Sequence, residues 1–406
     1  MDSMEQIRKE VMGQLDLTRE VPDEEVLSVI DEAVCKRARE EVLSLQSRRE
    51  LRTEVFYSLR RLDMLQELLE DEEITEIMVN GADHIFYEKK GRLLRWQKKF
   101  SSREKLEDVI QQIAAGNNRV VNEYTPIVDA RLRDGSRVNI VLEPIAIDGS
   151  CISIRKFPKH PIGIEDMIAF GSVSKELAEY LEILVKAKYN IFISGGTGSG
   201  KTTLLNVLSA FIPEEERVIT IEDSAELQIQ NIPNLVRLET RNAPMESGNQ
   251  ITIRDLIKSA LRMRPDRIVV GEIRGGEALD MLQAMNTGHD GSLSTGHANG
   301  CRDMLRRIET MVLMGVELPL DAVRAQIASG IDILVHLGRL RDRSRKILDV
   351  MEVIGFEDHQ IRVNPLFQFR ELEEGGEYIR GCWEKVGNLQ RREKLEAAGL
   401  TIDAAK

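Results

Sequence analysis

The chain has 406 residues, too many for one ordinary core, so two or three domains are expected. Its 56 basic and 68 acidic residues give a net charge of −12, which argues against nucleic-acid binding through an overall positive field. No apolar run approaches the ~20 residues of a spanning helix, the acidic start Met-Asp-Ser-Met-Glu-Gln is unlike a signal peptide, and four scattered cysteines without a Cys-x-x-Cys pair suit a reducing cytoplasm.

Residues 1–60 are rich in Glu, Arg, Leu and Val at helical spacing, with Val26, Val29, Ile30, Ala33 and Val34 on one face, and read as an N-terminal helical module. Residues 61–160 read as an α+β lobe. Strands are expected at 74–80, 84–88 and 93–96, with a turn at 89–92, a helix at 103–115, and further strands at 138–142 and 151–154. Two prolines and a glycine in 157–163 mark a linker and hinge, with 161–173 connecting the lobes. From 174 to 406 strands and helices alternate, the pattern of a parallel sheet covered by helices on both faces, followed by strand-like pieces at 350–356 and 360–369.

The densest chemistry begins at Gly195-Gly196-Thr197-Gly198-Ser199-Gly200-Lys201-Thr202, which fills every fixed position of Gly-x4-Gly-Lys-Thr. A buried strand at 189–194 precedes it, and a helix opening at Thr203 follows. Glycines let backbone N–H groups turn inward as an anion nest at a helix N-terminus. Lys201 can reach the outer phosphates and the Thr202 hydroxyl can hold Mg2+, so the chain is expected to bind ATP or GTP. Two strand-end acids follow. The strand 217–221 runs into Glu222, and 267–270 runs into Gly271-Glu272, a Walker B strand whose usual first acid is a glycine. The proposed division has Glu272 holding Mg2+ through water and Glu222 orienting or deprotonating the nucleophile, with the roles exchangeable.

Thr287-Gly-His289 and Thr295-Gly-His297 flank a short strand, and both histidines are candidates to sense a terminal phosphate. A zinc site from His289, His297 and Cys301 matches no compact ligand spacing. Thr252-Ile-Arg-Asp255 reads as a capping box, and Met304, Leu305, Ile308 and Val312 as an apolar helical stripe. Arg262, Arg264 and Arg274 bracket the Walker B strand and suit phosphate or a subunit interface.

Taken together, these residues resemble the secretion (traffic) ATPases of type II and type IV secretion, pili and archaella. Walker A, the acidic box Ile219–Glu226, a Gly-Glu Walker B and the His box occur in the family's order. The resemblance is closest to the CpaF/TadA branch of tight-adherence (Flp-type) pili, carried by residues 73–81, 126–139 and 152–157. The four-cysteine zinc module and long N-terminal docking domain of pilin-extending relatives are missing. The resemblance implies a RecA-like α/β ATPase domain in a homo-hexameric ring of two-lobed subunits, with ATP and Mg2+ between the lobes. It also implies a cytoplasmic motor acting at the inner face of the membrane on a platform protein, while the acidic balance argues against direct nucleic-acid contact. Arginines of the N-terminal lobe are then finger candidates, and the matching positions are Arg131, Arg137 and Arg155, with Arg133 the weaker. Three rivals stand beside this reading: a conjugation-type ATPase, a nucleotide-gated scaffold that barely hydrolyses, and a P-loop kinase. The kinase would need an acceptor pocket and an arginine-rich lid after the core, and no motif in the sequence announces either.

Overall fold

The computed structural model describes residues 3–16, 19, 21–41, 43–117, 119–157, 161–241, 250–372 and 379–402. The chain divides into two units, Met1–His160 and Pro161–Lys406.

In the first unit, helices α1 (Ser3–Gln14), α2 (Asp23–Glu40) and α3 (Leu45–Arg60) bury their own small core around Ile7, Val11, Val26, Ile30 and Val55. Ser44 caps α3, its hydroxyl accepting from the Ser47 N–H. After α4 (Leu65–Glu70) comes a six-stranded antiparallel sheet of β1 (Ile74–Asn80), β2 (His84–Lys89), β3 (Arg92–Arg95), β4 (Ile127–Arg131), β5 (Arg137–Val141) and β6 (Cys151–Arg155). Its order is β3-β2-β1-β6-β5-β4, and α5 (Arg103–Ala115) joins β3 to β4. Alternation does the sorting: Ile77, Val79, Val138, Ile140, Ile152 and Ile154 share a core with α4 and α5, which turns the intervening residues to the opposite face.

The second unit begins with α6 (Ile164–Ala169), α7 (Lys175–Lys186), β7 (Ile191–Gly195), α8 (Lys201–Ser209), β8 (Val218–Glu222) and β9 (Leu235–Glu239). It continues through α9 (Ile253–Ala260), β10 (Arg267–Val270), α10 (Ala278–Asn286), β11 (Leu293–Gly296), α11 (Cys301–Gly315) and α12 (Leu320–Gly330). β12 (Ile333–Arg339), β13 (Arg345–Glu357), β14 (Gln360–Glu371), β15 (Gly381–Lys385) and α13 (Glu393–Ala397) complete it. The sheet has the order β15-β14-β13-β12-β7-β11-β10-β8-β9. From β12 to β9 every neighbouring pair is parallel, whereas β13, β14 and β15 are antiparallel additions. The expected parallel sheet is therefore mixed, because the tail returns by hairpins instead of helical crossovers. One core packs α6, α7 and α8 on one face, and a second packs α9 to α12 on the other. Sandwiched strands need apolar side chains on both faces, and β7, β8, β10 and β11 are buried at every position. The Thr252 capping box opens α9, with Asp255 Oδ2 accepting from the Thr252 N–H at 2.9 Å.

Residues 158–160, at the centre of the expected hinge, lie outside the described residues. The stretch expected as a linker, 161–173, carries α6 and gives Met167 and Val173 to the core of the second unit. Among the described residues no helix is long and apolar enough to cross a membrane.

Two buried polar residues fix the strand starts. Asn190 accepts from the Ser292 N–H and donates to Gly330 O, pinning the chain ahead of β7, β11 and β12 at one level. Arg267, fully buried, binds both carboxylate oxygens of Glu216 (2.6 and 3.0 Å) and Val185 O (2.6 Å). Removing one partner of a buried pair strands the other charge. Arg267→Met should thus lower stability by about 3 kcal/mol or more, and the double variant Arg267→Met, Glu216→Leu by less, as read from urea midpoints.

Candidate functional site

β7 ends at Gly195 in a crowded place. A Cβ there would stand 2.5 Å from Ser199 Oγ and 2.6 Å from Leu337 O. Gly198 (φ +70°) and Gly200 (φ +99°) occupy the left-handed region, so glycine is required for the turn itself. Ser199 Oγ donates to Gly196 O at 2.9 Å. Lys201 opens α8; its ammonium donates to Gly195 O (3.1 Å) and Gly196 O (3.0 Å) and lies 3.3 Å from His297 Nδ1. Thr202 and Thr203 sit half-buried in the first turn. A helix N-terminus behind a glycine loop with a buried lysine is a phosphate site by construction.

The acids arrive from the neighbouring strands. Glu222 closes β8 and is 3% exposed. One of its oxygens accepts the N–H groups of Glu226 (2.7 Å) and Leu227 (2.9 Å). The other, Oε1, is buried without a hydrogen bond among the described residues. Burial pushes the carboxyl up to about 7, and the two amide bonds only partly oppose it. The glycine in the Walker B position now has a reason. A Cβ on Gly271 would stand 3.0 Å from Glu222 Cγ, so any side chain there would press on Glu222 and require it to give by a few tenths of an ångström.

Glu272 follows Gly271. Its Oε2 accepts from Arg274 at 2.6 Å, and Arg274 also stands 3.8 Å from Asp223, tying the two acidic loops together. His297 Nε2 lies 2.8 Å from Glu272 Oε1, off the line of a hydrogen bond, and that oxygen has none among the described residues. An ammonium can only donate, so His297 Nδ1 is the acceptor toward Lys201 and Nε2 carries the proton. Burial lowers the pKa of His297, in keeping with a neutral ring. Two buried carboxylate oxygens lacking hydrogen bonds, on adjacent strand ends, and the Thr202 hydroxyl are hard oxygen donors of the kind Mg2+ takes.

His289 does not join this group. β11 lies parallel to β7 with Gly296 opposite Ser194, so His297 leaves the strand at the loop edge while His289 precedes it at the other edge. The His289 ring faces Ala284 O at 3.3 Å, at the end of α10. Arg262 and Arg264 likewise precede β10 and stand at the edge away from the loop; only Arg274 reaches the acids. Cys301 is buried in α11 with its thiol toward Leu334 O.

Residues 59–371 match the family model described as Type II/IV secretion system protein. The chain belongs to that family. It is 31% identical over 313 residues to the conjugal transfer protein TrbB of Rhizobium radiobacter, covering 76% of this chain and 93% of the relative. It is 32% identical over 316 residues to the type IV secretion system protein PtlH of Bordetella pertussis, covering 71% and 93%. Among solved structures, the Legionella pneumophila ATPase DotB superposes with a TM-score of 0.52 at 23% identity, over 74% of this chain and 81% of that one, a likeness of fold.

In this secretion-family chain the three lobe arginines form a row. Arg131, Arg137 and Arg155 stand opposite one another across β4, β5 and β6, with Glu76 of β1 next in line, 4.0 Å from Arg155. They share the sheet face turned away from α5, and Arg133 lies in the turn beyond. Sequence reasoning missed two contributors to the site. Thr295 Oγ1 donates to Gly271 O at 2.7 Å and steadies the Walker B turn. Arg345 donates from Nε to Gly198 O at 2.8 Å, inside the phosphate loop. The sequence signal for the latter is the run Arg339, Arg341, Arg343, Arg345.

Restoring the usual Walker B acid should therefore harm the site. Gly271→Asp is expected to displace Glu222 and lower kcat roughly tenfold or more, measured as steady-state phosphate release; an unchanged or higher kcat would remove the steric explanation.

Proposed function

We propose that this chain is an ATP-hydrolysing motor that powers pilus assembly or protein secretion, working as a homo-hexamer against a platform protein at the cytoplasmic face of the membrane. The observation that carries the hydrolytic part is Glu222, a dry carboxylate with a pKa of about 7 and one open oxygen, one strand from the Walker B turn of a complete phosphate loop. Family membership supports the motor part.

Lys201 holds the outer phosphates of ATP. Thr202, and Glu272 through water, would hold Mg2+, which would neutralise charge on the phosphate oxygens. Glu222 in its ionised form takes the proton of the attacking water, and a pKa near the working pH suits a general base. His297, protonated at Nε2, donates toward the terminal phosphate. The arginine row of the N-terminal lobe supplies the finger, a group that can be worth roughly 10³–10⁵ in rate. The stretches 73–81, 126–139 and 152–157 support placing the chain in the tight-adherence pilus branch. The second reading, a conjugation motor, is favoured by the likeness to the conjugal transfer protein TrbB.

Two measurements test the role of Glu222. With Lys201→Ala as the blank, kcat should rise with pH and level off above about 7. Glu222→Gln should lower kcat by roughly 10² or more and erase that limb, whereas a Gln variant with wild-type kcat would reassign the base. Stability gives an independent sign. A carboxyl raised from 4.5 to about 7 stabilises the fold fully below 4.5 and loses that contribution as pH rises through 7. Glu222→Gln should accordingly match wild type at low pH and exceed it above pH 7, by about 1–3 kcal/mol in denaturant unfolding.

A further inference from the structure

β12 runs past the phosphate loop before the chain turns back as β13. Leu337 stands in register with Gly195, so Gly338 and Arg339 continue beyond the end of the loop strand, and Arg339 faces Arg345 across the hairpin. Four exposed arginines crowd this turn, at 339, 341, 343 and 345. Arg341 is matched by Glu371 at 2.6 Å, while Asp342 is occupied by Ser344 and the Ile379 N–H. Among the described residues no acid pairs with Arg339 or Arg345, although like charges directly opposed on two strands repel. Lys346 is no help: it points the other way, to Gly171 O.

Arg345 is turned onto the loop. Its Nε donates to Gly198 O at 2.8 Å, and its Cδ lies 3.7 Å from where a Cβ of Gly200 would be. A guanidinium tied down through Nε keeps its planar face and its terminal N–H groups for another contact. Strand order says what that contact is. In the sheet, β12 and β13 lie on one side of β7, while β11, β10 and β8, which bring His297, Glu272 and Glu222, lie on the other. A triphosphate whose terminal phosphate meets those acids leaves its nucleoside on the hairpin side.

We infer that Arg345 is the nucleoside-side positioning residue of the site: Nε fixes the Gly198 peptide of the phosphate loop, and the guanidinium plane supports the purine base of the bound nucleotide. This rests on the reading of the loop as an ATP site. A guanidinium stacks on adenine and guanine alike, so the contact strengthens binding with little choice between the two bases.

The test uses the full chain and titrates ATP, GTP and tripolyphosphate, which has no nucleoside, into wild type, Arg345→Ala and Arg345→Lys. Arg345→Ala should weaken ATP and GTP alike, roughly tenfold, and tripolyphosphate distinctly less. KM for ATP should rise by the same factor as its Kd, with a smaller fall in kcat. Arg345→Lys, which can keep the carbonyl contact without the planar stack, should fall between. Equal weakening of ATP and tripolyphosphate would overturn the inference in favour of a role in loop shape alone, and so would unchanged ATP binding. Wild type binding ATP no better than Lys201→Ala would overturn the ATP-site reading itself, and this inference with it.

Discussion

The site depends on one carboxylate being kept dry between two strand ends. Glu222 lies where β8 stops, beside the Gly271 backbone, whose N–H donates to Ile221 O at 2.8 Å. Two forces act on its proton. Loss of water favours the neutral acid, and two backbone amides favour the anion; desolvation wins, leaving a group that ionises near neutral pH. With a side chain at 271 the carboxylate would have to move, and without the amides of Glu226 and Leu227 it would hold its proton more firmly. The glycine and the glutamate are two halves of one steric arrangement.

The remaining geometry follows from strands that finish level. Asn190 pins the chain ahead of β7, β11 and β12, and at the far edge Gly296 stands opposite Ser194 and Leu337 opposite Gly195. The phosphate loop then rises between two differently equipped flanks. On one side stand His297, Glu272 and Glu222, chemistry for a phosphoryl group; on the other stands a cationic hairpin.

Much of this was legible in the sequence because it is local. The phosphate loop, the Gly-Glu turn, α5 and the Thr252 capping box are each written within one short stretch of chain, and the structure forms them where the residue pattern puts them. What is not local was lost. Gly271 looked like a missing acid because the side chain that crowds it is 49 positions earlier, on a strand whose partner the sequence does not state. Arg345 contacts Gly198 across 147 positions, a meeting that exists only because β12 lies beside β7. His289 was a different kind of miss. Its spacing from His297 already implied opposite ends of a strand, and in a parallel sheet the two ends have different neighbours.

The central claim is that Glu222 is a neutral-pH base, and its proton can be observed directly. Infrared difference spectra of wild type against Glu222→Gln, taken from about pH 5 to 9, should show a protonated carboxyl band that disappears with a midpoint near 7. A band already lost near the ordinary value of 4.5 would mean that the strand ends admit water, and would contradict the account.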